Sequence, residues 1–239
     1  MLKKYCYFLC LISFTNINVD AQHKLLICFK NIAGNQPLQK DSMYKNEFGE
    51  LFTVHVFKYY ISNIVLQSEN KTEQFSDEYF LIDDADSSSK KIELNTNLNH
   101  ITSLKFLLGI DSVKNVSGVQ TGSLDPAKGM FWVWNTGYVM AKLEGKSASA
   151  NTPQHAFSYH VGGYKQNENT SREISFKFLS GVDCSNKNCT ITISADVLKW
   201  FNAINEIRIS ETPFCHEPGS LATKLADNYA QMFNIVKVE

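Results

Sequence analysis

The sequence has no dominant charge: 23 Lys plus Arg stand against 24 Asp plus Glu among 239 residues. Nothing in it can hold nucleic acid or an anionic membrane by long-range attraction. Glycine (12) and proline (5) are scarce, which excludes collagen-like and other low-complexity chains. With 44% hydrophobic and 20% charged residues, the chain has the means to build a core and is not disordered. No apolar run reaches the roughly 20 residues of a membrane-spanning helix. Familiar catalytic signatures are missing too, with no G-x-S-x-G elbow and no H-E-x-x-H zinc motif. Gly145-Lys146-Ser147 resembles the end of a phosphate loop, yet Met140 stands where that loop needs glycine to turn around a phosphate. Asp84-Ala85-Asp86 opens like a calcium loop, but Ser89 replaces the turn glycine and Asn95 the bidentate Glu.

What is present begins with an export signal. Lys3 and Lys4 precede the apolar run Tyr5–Phe14, and Val19-Asp20-Ala21 supplies small residues at the −3 and −1 places of a cleavage site. Removing residues 1–21 takes Lys3, Lys4 and Asp20, leaving 21 basic and 23 acidic groups on 218 residues. That is the length of one domain, residues 22–239, expected in the periplasm or secreted. Cys28, Cys184, Cys189 and Cys215 remain, an even number in an oxidising compartment. Cys184 and Cys189 close a polar loop between two strand-like runs and are expected to pair. Cys28 with Cys215 is then the second expected bridge. The absence of C-x-x-C argues against a metal–thiolate site.

The dominant period is two. Lys24–Ile32, Phe52–Leu66, Ile101–Ile110, Met130–Leu143, Ile174–Leu179, Thr190–Ser194 and Glu206–Ser210 are runs rich in Val, Ile, Phe, Tyr and Thr between turn-forming clusters. This predicts an all-β protein, a β-sandwich of antiparallel strands. A short helix is expected over Ala195–Ile204, capped by Ser194. A second follows Pro218-Gly219-Ser220, with Leu221, Leu225, Tyr229 and Met232 at i, i+4, i+8 and i+11. Both would lie as lids on the sheets.

One segment stands out. Leu124–Tyr138 holds Trp132 and Trp134, two of the three tryptophans, with Met130 and Tyr138 and glycines near both ends. In one extended strand the two indoles would share a face, their Cα atoms about 6.6 Å apart. Buried indoles would fill a core and need partners for their N–H groups, Asn135 being a candidate.

This segment resembles the MbnP family of exported copper-binding proteins associated with methanobactin operons. Further matching pieces run in order along the mature chain: Leu25–Phe29 with Gly34, Asn46–Gly49, Phe57–Ile64, Phe106–Asp111, His160-Val161-Gly162-Gly163 and Ala226–Phe233. The resemblance implies copper as the bound metal. It also implies a partner, an exported dihaem enzyme of the MauG type, that oxidises a tryptophan to kynurenine. The chemistry is coherent: an indole nitrogen offers no lone pair to a metal, whereas ring opening exposes an aniline nitrogen that does, and nitrogen donors suit copper. Trp132 and Trp134 are equal candidates for modification. It further requires the target to lie near the surface, since a partner has to oxidise it.

Six histidines remain to be weighed as ligands. His160, before two glycines, matches a position that the family keeps. His216 lies beside Cys215. His55 alternates with Phe57, Tyr59 and Ile61 and is expected in the core. His23 is second in the mature chain, which spoils a first-residue histidine brace. His100 and His155 fall in polar connections. Met130 is a possible sulfur donor to Cu(I), though core packing is the commoner use of methionine. The reading is therefore a copper-binding substrate protein with no catalysis of its own. An alternative is a binding module with Trp132, Trp134, Tyr138 and Tyr164 as an aromatic platform for sugar or peptide. A third, a hydrolase using Asp111 and Asp125, needs the two carboxyls facing each other in a cleft.

Overall fold

The period of two builds two sheets packed face to face. The computed structural model describes residues 22–134, 137–186 and 188–239; the expected signal lies outside them. The strands are β1 (His23–Ala33), β2 (Gln36–Pro37), β3 (Tyr44–Lys45), β4 (Leu51–Gln67), β5 (Thr72–Asp83), β6 (Lys91–Thr96) and β7 (His100–Leu108). After them come β8 (Phe131–Trp132), β9 (Gly137–Ser147), β10 (Ala156–Gly162), β11 (Arg172–Asp183), β12 (Asn188–Asp196), β13 (Phe214–Cys215) and β14 (Phe233–Val238). Two helices are present among the described residues, α1 (Ser112–Asn115) and α2 (Ser220–Tyr229). No described helix is long and apolar enough to cross a membrane.

The smaller sheet runs β14-β12-β1, with β2 and β6 on the other edge of β1; β1 and β12 run parallel, Lys24 beside Asn188 through Ile32 beside Asp196, so the expected antiparallel sandwich is in fact built of mixed sheets. The larger runs β11-β7-β4-β9-β10-β13. β4 pairs β9 along its first half and β7 along its second, with β5 opposite. Alternation decides what is buried: Leu25, Ile27 and Phe29 of β1 face inward, whereas Lys24 and Lys30 face out. Phe29 meets Tyr59 edge-on at 6.0 Å and Phe106 at 6.1 Å, which joins the two sheets through aromatic contacts. Each such side chain contributes roughly 1.5–3 kcal/mol by leaving water.

Glu50 ties the far end of the sandwich. Its carboxylate accepts from Asn46 Nδ2 at 2.7 Å and from the Ile209 and Ser210 amides, each at 2.9 Å. Burial alone would push this carboxyl up, but these donors outweigh it and hold it below the usual glutamate range. Its stabilisation is therefore present above the ordinary glutamate pKa and lost as pH falls through the depressed one. Glu50→Gln is expected to flatten the acid limb of a thermal-stability profile while lowering Tm at neutral pH.

The Cys184–Cys189 disulfide forms, with Cα atoms 4.9 Å apart. Cys184→Ser with Cys189→Ser is expected to cost about 2 kcal/mol, read as a fall in Tm with unchanged far-UV circular dichroism. The second expected bridge does not form. Cys28 and Cys215 are free because alternation turns Cys28 to the outer side of β1, in the smaller sheet, while Cys215 is buried on the edge strand of the larger. Burial pushes the Cys215 thiol up to about 11, so it stays protonated and inert at neutral pH.

Other expectations are corrected by the sheets. Met130–Leu143 is not one strand but the hairpin β8–β9, with Val133 and Trp134 in its turn. The helix over Ala195–Ile204 shrinks to one 3-10 turn, Val197–Trp200, because β12 claims the chain as far as Asp196. Asp196, not Ser194, supplies the cap, accepting from Leu198 N at 3.0 Å. Glu206–Ser210 joins no sheet beyond an isolated bridge from Glu206 to Asn202.

Between β7 and β9 the chain folds over the outer face of the larger sheet. Tyr60, Ile110, Leu124, Met130, Trp132, Tyr138, Val139 and Met140 make a second, smaller core there. This covering segment carries the tryptophans.

Candidate functional site

β9 and β10 run antiparallel, setting Ser158 opposite Glu144 and His160 opposite Lys142. On β10, Ser158, His160 and Gly162 alternate with the buried Phe157, Tyr159 and Val161, so they share the outer face. β13 runs parallel to β10 and pairs Tyr159 with Cys215. The next residue, His216, is thereby carried over the same face. The His160 and His216 rings lie 4.5 Å apart, tilted by 35°. Both present Nε2 to one hydroxyl, Ser158 Oγ, at 3.1 Å and 2.9 Å. Glu144 Oε1 lies 2.5 Å from His160 Nε2, and this bond holds the Glu144 carboxyl below its usual range. Burial, reinforced by His160, pushes His216 down. It is therefore a neutral imidazole at neutral pH, the form that binds metals.

The tryptophans differ. Trp132 stands opposite Gly137 in the hairpin register and is only 6% exposed. Its indole lies over Gly162: a Cβ there would come 2.8 Å from Trp132 Cζ3 and 2.6 Å from Tyr138 O. Gly162→Ala is expected to displace the indole at a cost of about 1–3 kcal/mol, with a changed near-UV circular dichroism and tryptophan fluorescence. Trp134 is 63% exposed. Its ring lies 5.4 Å from that of Trp132, tilted by 38°. It walls a recess of about 410 Å3 together with Phe214, His216 and Pro218. The expectation that the indoles share one strand face fails because the turn turns Trp134 out of the ladder. The Asn135 expected to receive an indole N–H lies outside the described residues.

The remaining sequence candidates disperse. His55 is not a core imidazole: a bulge at Val54–Val56 turns it outward, 3.0 Å from Thr53 Oγ1 and 3.2 Å from Asp41, in a separate recess. Met130 is fully buried in the smaller core. His23 is buried, its Nε2 2.6 Å from Asn99 Oδ1. Asp111 and Asp125 are both engaged in capping turns, of Lys114 N and Ala127 N. Tyr138 is 1% exposed, so the expected platform of four aromatic rings is not an open strip. Ser158 and Glu144 were not among the sequence candidates. The Ser158-x-His160 spacing, one strand face, is the signal that points to the first of them.

Among the described residues, no three His, Cys, Asp or Glu side chains come together closely enough to hold a metal ion. What the site offers is an imidazole pair, a carboxylate braced against it and an exposed indole in the adjoining recess. An all-β sandwich carrying a tryptophan hairpin against such a pair defines the class. The chain belongs to the MbnP family, whose model matches residues 22–217. Its fold is similar to a solved structure, MbnP from Methylosinus trichosporium, with a TM-score of 0.58 and 14% identity over 84% of this chain and 83% of that one. No curated protein sequence matches it significantly.

Proposed function

We propose that this is an exported copper-binding protein in which Trp134 is oxidised to kynurenine by a haem enzyme of the MauG type and then joins His160 and His216 as a copper ligand. The carrying observation is the shared recess: the exposed indole and the neutral His216 imidazole line one space. The donor set fits the metal, since two imidazoles and an aniline nitrogen are borderline donors that copper favours. The pair alone is one donor short of a three-nitrogen set, and ring opening supplies it. Bound copper would provide a redox-active or transferable ion.

This chain's residues have positioning roles in that reading. Glu144 and Ser158 orient His160, and Ser158 also orients His216. Trp132 backs Trp134 and separates it from the smaller core. Cleavage of the indole 2,3-bond adds two oxygen atoms from an oxygen-derived oxidant, and hydrolysis releases formate, a net gain of one oxygen and loss of one carbon. In this reading the protein acts as carrier rather than enzyme.

Intact mass and metal content of the protein from its native host test this. The expected result is the kynurenine mass with copper, retained in Trp132→Phe and lost in Trp134→Phe. Unmodified mass without copper would defeat the proposal, and unmodified mass with copper would leave a plain imidazole site.

A further inference from the structure

The geometry points to a second redox element: Tyr79 and Asp111 form a proton-coupled one-electron site that re-reduces an oxidised indole through Tyr60 and Tyr138. This goes beyond copper binding and holds without metal. Tyr79 Oη donates to Asp111 Oδ2 at 2.6 Å. The acceptor is fixed in place, because Asp111 Oδ1 accepts from Lys114 N at 3.0 Å as the cap of α1, and the Asn63 side chain also hydrogen-bonds this carboxylate.

Strand register and core packing place the phenol next to the inner aromatics. In the β4–β5 register Tyr79 faces Ser62 and Leu81 faces Tyr60. Residues two apart share a face, so Tyr79 is the diagonal neighbour of Tyr60, and it packs against the smaller core. Tyr60 and Tyr138 lie 6.1 Å apart. Tyr138 and Trp132 belong to that same core, and Trp132 lies 5.4 Å from Trp134. Aromatic side chains of one small core thus lie between an exposed indole and a phenol that has a base.

Lys114 Nζ sits 5.2 Å from the centroid of the Tyr79 ring. A cation there disfavours positive charge on the ring, so the phenol gives up an electron only as its proton leaves. In the step, a one-electron oxidant of the ferryl-haem class first takes an electron from Trp134; one electron then passes from Tyr79 to the Trp134 radical cation while the O–H bond breaks and the proton moves to Asp111 Oδ2. A neutral indole, a neutral tyrosyl radical and a protonated carboxyl remain, so charge balances.

The test uses metal-free protein and photogenerated ruthenium(III) tris-bipyridine as the one-electron oxidant, with electron paramagnetic resonance after freezing. The wild type is expected to show a neutral tyrosyl radical. Tyr79→Phe should lose it and retain a tryptophan-derived radical. Asp111→Asn should lose it as well, because the amide still accepts hydrogen bonds but cannot hold the proton. Trp134→Phe should reduce its yield. An undiminished tyrosyl signal in any of the three overturns the proposal, by placing the radical on another tyrosine, by removing the base or by breaking the path. Circular dichroism checks that each variant is folded, and Tyr79→Phe, which removes one hydroxyl, decides the matter if Asp111→Asn is not.

Discussion

Trp200→Ala is expected to cost about 3–5 kcal/mol, enough to consume much of the 5–15 kcal/mol that a folded domain commonly has. Trp200 is fully buried, 5.1 Å from Tyr229 of α2 and 6.2 Å from Phe57 of β4. It fills the space between the C-terminal helix and the larger sheet, and alanine would leave a cavity that two fixed elements cannot collapse. Among the described residues its indole N–H finds no hydrogen-bond partner, so Trp200→Phe removes an unsatisfied donor along with part of the volume. That variant should lose far less than Trp200→Ala. Denaturant unfolding of both variants measures the difference. Equal losses would show that the orphaned N–H is not a cost, and a small loss for Trp200→Ala would show that the site closes up.

Under the copper proposal, removal of either imidazole is expected to have the largest effect on metal binding. His160→Ala or His216→Ala takes away a donor from a pair that the described residues cannot complete by themselves. Glu144→Gln is the graded comparison. It keeps both donors but weakens the brace on His160, and changes of this kind cost about 10- to 100-fold in metal affinity. The histidine variants should lose more than that, and Ser158→Ala should resemble Glu144→Gln. Competition titration with a copper chelator gives the ranking. If His55→Ala weakened binding as much as His216→Ala, the metal would lie in the recess beside Asp41 instead. Trp134→Phe should match the histidine variants only in protein that has met its modifying partner.

Much of the architecture was legible as alternation. β1, the first half of β11 and β12 follow from apolar residues at every second place, although β12 is buried on both faces over Ile191–Ala195 and the alternation of β7 breaks where Ser103 and Leu104 are both buried. β5 is harder to read: Thr72–Asp83 is largely exposed or half-buried, so its alternation carries little apolar contrast. β10 is short and interleaves Phe157, Tyr159 and Val161 with Ser158 and His160, a readable pattern of only seven residues. β14 follows directly on a helix-period pattern that masks it. The hairpin at Trp132–Gly137 was hidden for another reason: Met130–Leu143 has strand-forming residues throughout, and what breaks it is the pairing of β8 back onto β9.

The candidate site was half legible. The tryptophan pair and His160 lie in segments that mark themselves by composition and by resemblance. Their separation into a sealed and an exposed indole depends on one turn. His216 gains its meaning from a two-residue parallel pairing between β13 and β10, a contact across 55 residues that no local pattern encodes. The free Cys28 and Cys215 teach the same lesson, since an even count does not say which sheet each thiol faces.

By itself the sequence determined the class of fold, because binary alternation dictates which surface each strand must hide from water. It also determined the available chemistry, because indoles, imidazoles and thiols are what they are wherever they sit. Which of these groups meet was decided only by strand order and register: a shift of one residue in β10 would turn His160 into the core, and without β13 alongside, His216 would have no partner.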